Sequence, residues 1–188
     1  NVNKTNIDIN LESKEKLVEL LVKLEWQNFD KVKNEGGRAD CQDDWGTFSI
    51  MRTSQYLSWT EEMLQSYIQD FEEAMARGWN LITEKYGRMM KSTAPEKYAE
   101  LEPELPVRSE ERELIAEEIV KIQVTWMEEF ASKYPKMADN ARSIHTSEDT
   151  PFNTSYETYL RGELCTYSEK TMLLYASFII SLSYTIFA

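Results

Sequence analysis

Apolar residues recur along most of this chain at the three-to-four-residue spacing of helices that bury one face. Val18, Leu21, Val22, Phe29 and Val32 predict a first helix over residues 11–35, stopped by Gly36 and Gly37. Glu25 falls on that apolar face, between Leu21 and Phe29, and therefore points inward; Asn28 interrupts the same face. A short helix is expected over residues 45–57. Ser58 and Glu61 read as a capping box opening the next helix, whose stripe is Met63, Leu64, Tyr67, Ile68, Phe71, Ala74 and Met75, with Gly78 as its stop. Residues 80–91 carry Leu81, Ile82, Tyr86, Met89 and Met90. Residues 96–101 make one helical turn before a linker marked by Pro103 and Pro106. Ser109 then caps a long helix to about residue 134. Glu110, Glu111 and Glu113 suit the positive end of its dipole, and Ile115, Ile119, Ile122, Trp126 and Phe130 form its expected buried face.

Periodicity disappears from Pro135 to about residue 153, a polar stretch long for a compact domain. A helical piece follows to residue 163, and Ser168 caps a last, apolar helix. Leu182, Tyr184 and Ile186 alternate, yet no strand is needed anywhere. The pattern predicts an all-α fold: a single compact bundle of about six helices, with a long polar loop before the last helical pair. One domain is expected over residues 1–188, with residues 1–10 a loose N-terminal arm.

Composition narrows the function classes. The 188 residues suit one domain, and 41% hydrophobic residues suffice for a core. A net charge of −12 repels nucleic-acid phosphates and anionic membranes, and no basic-aromatic cluster offers a local exception. The apolar run over residues 172–188 is shorter than the roughly 20 residues of a membrane span and reads as a core helix. Cys41 and Cys165 lie far apart, outside any CxxC pair, and read as free thiols of a reducing compartment. A cytoplasmic protein with no nucleic-acid or membrane partner is expected.

Candidate chemistry concentrates in two polar stretches. Residues 34–55 crowd Arg38, Cys41, Asp43, Asp44 and Arg52 between two apolar helices. Arginine forks bind carboxylates and phosphates bidentately, so these residues could hold a charged ligand. The structural alternative is a connection in which Asp43 or Asp44 caps the next helix and an arginine pairs with the other. A buried Glu25 must find a partner, such as Arg38 or Arg52. The second stretch holds His145, the only histidine, beside Glu148 and Asp149, a combination suited to proton transfer near neutral pH. One histidine cannot build a di-iron Glu-x-x-His pair or a multi-histidine zinc site; an oxygen-ligand magnesium or manganese site stays open, and no metal ligands are assigned. Glu118, Glu129, Glu157 and Glu163 read as a solvated acidic face. Acids flank Cys41 and disfavour its thiolate. No nucleotide-binding or nucleophile-elbow motif occurs, so no cofactor is named.

The segments EGGRADCQDDWGTFSIMRTSQ, TEKYGRMMKSTAP and IHTSEDTPFNTSYETYLRGEL resemble the bacterial family catalogued as domain of unknown function 4125, over roughly residues 15–180. That resemblance implies no activity and no site residues.

Two functions are weighed. In the first, Arg38, Asp43, Asp44, Arg52 and Arg161, with Glu25 beneath, bind a small anionic or amphoteric metabolite while His145, Glu148 and Asp149 supply catalysis. In the second, the chain is a non-catalytic helical module for a protein partner, and the same residues staple loops.

Overall fold

The computed structural model describes the backbone of residues 2–186 and the side chains of residues 13–185. The side chains of the expected arm, residues 1–10, lie outside that range. Among the described residues all regular structure is helical, apart from one isolated bridge between Thr150 and Asn153. Nine α-helices are present among them rather than about six: α1 (Val2–Asp30), α2 (Trp45–Tyr56), α3 (Glu61–Ala76), α4 (Leu81–Thr93), α5 (Pro95–Leu101), α6 (Glu110–Lys133), α7 (Pro135–Ala138), α8 (Tyr156–Leu164) and α9 (Glu169–Ile186). The excess comes partly from α5 and α7, one to two turns each, which prolines open and which are too short to show a period. The chain divides into two compact units, residues 1–83 and 84–188.

In residues 1–83, α1 packs on α2 and α3. The stripe predicted for α1 is buried, as is that of α3 through Met63, Leu64, Tyr67, Ile68, Phe71 and Ala74. Full burial of such side chains stabilises by roughly 1.5–3 kcal/mol each, which outweighs the modest helix propensity of the aromatics. Rings knit the seams: Phe29 stacks on Phe48 at 5.4 Å, and Tyr56 meets Trp59 edge-on at 4.9 Å. Two expected boundaries move. The N-cap of α3 is Thr60, which accepts from Met63 N, because Trp59 is only 2% exposed and must stay in the turn to reach the core. α1 ends at Asp30, ahead of the two glycines. Gln42, 1% exposed, donates through Nε2 to the carbonyls of Phe29 and Val32 at 2.9 Å each and so finishes the helix from outside. Gly78 ends α3 as expected. It takes φ +73°, with Trp79 N bonded to Ala74 O and Gly78 N to Met75 O, the left-handed stop that glycine favours.

In residues 84–188, α6 packs against α7, α8 and α9. Its buried stripe is Ala116, Ile119, Val120 and Gln123, not the one running to Phe130, which is 38% exposed. A small residue and an amide disguised that face; Gln123 is buried because it joins the hydroxyls of Tyr175 and Tyr156. α8 lies close on α4 at Gly162, where a Cβ would stand 2.7 Å from Met89 Cγ and 3.1 Å from Lys85 O. Beside this contact Lys85 pairs with Glu163 at 3.1 Å, both nearly buried, and Tyr167 donates to the same carboxylate. Glu163 therefore does not belong to a solvated face, whereas Glu118 and Glu129 are exposed. Ser109, Ser155 and Ser168 cap α6, α8 and α9. Among the described residues no helix is long and apolar enough to cross a membrane.

Candidate functional site

The crowded stretch 34–55 resolves into two local networks. Arg38 donates to Asp43 at 2.8 Å, to Asp30 at 2.5 Å and to the carbonyl of Gln42 at 2.6 Å. Asp44 caps α2 by accepting from Thr47 N at 3.0 Å, and bonds from the Thr47 side chain and backbone hold its carboxyl below the ordinary range. One aspartate caps the helix and the other pairs with arginine, the arrangement weighed as structural from the sequence. The second network answers the burial of Glu25, 3% exposed. Arg52 Nε lies 2.8 Å from its Oε1, Tyr56 donates to its Oε2 at 2.6 Å, and Arg52 also donates to Gln55 and Tyr56. Of the two arginines considered for Glu25, the partner is Arg52. Cys41 and Cys165 are both free thiols.

The long loop is pinned onto α8 by Asp149. Its carboxylate accepts from Ser92 Oγ at 2.5 Å, from Ser155 N at 2.7 Å and from Thr158 Oγ1. Burial alone would raise its pKa, but these donors win and hold it below the usual range. Arg161 clamps the other side, with Nε 2.7 Å from Glu117 Oε1, Nη2 2.8 Å from Glu157 Oε1 and Nη1 3.1 Å from Thr146 Oγ1. Burial disfavours its charge, yet the two carboxylates hold it firmly protonated. His145 stands 3.1 Å from Glu128 and is 41% exposed in its side chain; its backbone N donates to Glu148.

A cleft of about 450 Å³ opens within residues 84–188, lined from α4 by Arg88, Lys91 and Ser92, from α6 by Glu113, Ala116 and Glu117, from α8 by Glu157, Thr158, Arg161 and Gly162, and by Cys165 just past the end of α8. Tyr98, Arg108 and Thr146 complete the wall. Of the residues singled out from sequence, Arg161 lines the cleft and Asp149 sits one hydrogen bond behind it; His145 and Glu148 are not in the lining. Among the described residues, no group of three or more His, Cys, Asp or Glu is placed to hold a metal.

The wall includes four cations and three carboxylates, but the pairing is uneven. Arg161 is held by Glu117 and Glu157, and Arg88 by Glu84 at 3.0 Å. Arg108 has no such partner. Its Nη1 donates to the carbonyls of Leu164 and Cys165, while Nε and Nη2 are shielded from solvent and meet no acceptor among the described residues. Burial pulls its pKa down; Arg112 and Arg88 add to this, and Glu113 works against it. A buried donor left unmet costs about 1–3 kcal/mol, and more when charged, so an incoming acceptor would be strongly favoured. Burial also pushes the Cys165 thiol up, which keeps it a thiol at neutral pH. Sequence reasoning passed over Arg108 because it stands in a proline-marked linker, while Arg88 and Glu113 reach it from two helices and Cys165 from just past the end of a third.

The profile of the family described as protein of unknown function DUF4125 matches residues 15–185. The chain belongs to this family. No curated protein and no solved structure matches it. For this DUF4125 member the functional reading therefore rests on the residues themselves.

Proposed function

We propose that residues 84–188 form a binding site for a small anionic or amphoteric metabolite in the cleft between α4, α6 and α8. The observation that carries this is a cleft of about 450 Å³ whose wall mixes charges of both signs and holds a cation without a counter-ion, Arg108. Structural ion pairs close on themselves, as Arg161 does with Glu117 and Glu157. The hydroxyls of Ser92 and Thr158, fixed by Asp149, give the cleft a rigid polar floor.

The test is native mass spectrometry of protein purified gently from its own host, carried as the C41S variant so that Cys165 is the one thiol left. A small acid or zwitterion should co-purify, and alkylating Cys165 with a bulky maleimide at mildly alkaline pH should expel it. Retention unchanged by alkylation would place the molecule elsewhere and refute the reading.

One observation favours a second reading, the helical partner module. α9 keeps Leu173, Ile180 and Tyr184 exposed at 48%, 48% and 76%, along one stripe. Substituting all three by polar residues should leave metabolite retention intact under the first reading.

A further inference from the structure

We infer that Arg108 is the anchor of this cleft and that the group it takes is a carboxylate. The inference rests on the binding reading above and names the class of ligand. The two unmet donors, Nε–H and Nη2–H, lie along one edge of the planar guanidinium and point the same way. Their separation matches the two oxygens of a carboxylate. The remaining nitrogen, Nη1, is tied to carbonyls at the C-terminal end of α8, where the helix dipole is negative. One end of the fork is therefore fixed; the other two nitrogens belong to a side chain that lines the cleft but are themselves covered, so a ligand reaches them by displacing the side chains over them.

Charge decides between a carboxylate and a phosphate dianion. Glu113, Glu117 and Glu157 line the same wall. Arg161 and Arg88 are more than neutralised by Glu117, Glu157 and Glu84, three carboxylates for two cations. The cations left over are Arg108 and Lys91, and Glu113 offsets one of them. A dianion would gather too much negative charge against these carboxylates. A monocarboxylate pairs with Arg108, and the carboxylates of the wall disfavour a second anion elsewhere on the ligand. The ligand is thus a monocarboxylate that is net neutral or singly negative.

The experiment follows the arginine Nε–H signals of the whole ¹⁵N-labelled protein during titration with sodium acetate, sodium phosphate and sodium chloride at matched ionic strength. The Arg108 signal is the one missing from R108Q, or from R108K should R108Q fail to fold. It should shift saturably with acetate at about 10 mM, an affinity fit for a four-atom fragment. Phosphate should bind roughly tenfold more weakly, and chloride should leave the signal in place. R108K, which keeps the charge but loses the fork, should lose the saturable acetate response of the protein's remaining signals. A signal unmoved by acetate at about 0.2 M, or phosphate binding as tightly as acetate, overturns the assignment. If R108Q or R108K retains the co-purified metabolite as well as wild type does, the anchor is refuted while the cleft reading stands. If neither co-purification nor acetate response is seen, both fall.

Discussion

Replacing Arg52 with methionine isolates the energetics of the buried network in residues 1–83. The Arg52 side chain is 14% exposed and that of Glu25 4%, with 2.8 Å between Nε and Oε1. At that burial the pair exists only because each charge replaces the other's water. Coulomb attraction at about 4 Å is worth roughly 4 kcal/mol at an effective dielectric near 20. Stranding one partner of a buried pair costs about 3–5 kcal/mol. The guanidinium also lies 4.9 Å from the Tyr56 ring centroid, where methionine retains the apolar contact but not the charge. R52M should therefore lose about 3–5 kcal/mol, a large share of a stability typically near 5–15 kcal/mol. The double variant E25M/R52M removes both charges and should recover most of that loss. The assay is urea unfolding followed by tryptophan fluorescence in a W126F background, which leaves Trp26, Trp45, Trp59 and Trp79, all within residues 1–83, as reporters. An R52M loss below about 1 kcal/mol would refute the energetics argued for this buried pair.

Gln42→Ala removes the side chain that satisfies the carbonyls of Phe29 and Val32 and accepts from Asn34 and Ala39; a loss of about 2–3 kcal/mol is expected in the same unfolding assay. Gly162→Ala drives a methyl against Met89 and the Lys85 carbonyl and should cost about 1–3 kcal/mol while lowering metabolite retention, since Gly162 lines the cleft. Asp149 and Glu157 are both held below their ordinary values, so their contribution is full above the unfolded carboxylate range near pH 4 and is lost as pH falls further; D149N should flatten the acid limb of a stability–pH curve. Tyr156 is pushed up to about 12, by burial first and the Glu163 charge second. The folded state then keeps a proton that the unfolded chain loses from about pH 10, so stability should fall across that interval in wild type and less in Y156F.

Much of the architecture was legible because burial in this chain is periodic. The stripes of α1 and α3 came straight from spacing, and the boundaries at Ser109, Ser168 and Gly78 follow from local chemistry that needs no tertiary partner. The misreadings share one cause, a tertiary demand overriding a local signal. Trp59 delays the start of α3 because its indole is needed in the core. Gln42 ends α1 from ten or more positions away, so the two glycines are not required as the stop. α6 buries Ala116 and Gln123 because α8 and α9 bring Tyr156 and Tyr175 to the amide. Periodicity counts apolar residues and cannot weigh a glutamine whose partners lie on other helices.

The same logic separates the two polar stretches. Residues 34–55 drew attention because their charges are dense in sequence, yet density allows nearby groups to neutralise one another. Arg38 finds Asp30 and Asp43 within eight positions, and Asp44 finds Thr47 within three. A ligand gains little from groups already so well served. Arg108 is the reverse case. Glu104, Glu110 and Glu111 stand within four positions of it in sequence, yet among the described residues it makes no ion pair, and the residues that wall it in bring two more arginines, Arg88 and Arg112, against Glu113. In a chain with 33 acidic residues against 21 basic ones, an unpaired buried cation is the rarer object. Leaving one costs stability that a nearby carboxylate would have recovered, and under the proposed function an anion in the cleft supplies that recovery. On this argument the candidate site is marked by a charge lacking a partner, which only the fold reveals, rather than by charges crowded together.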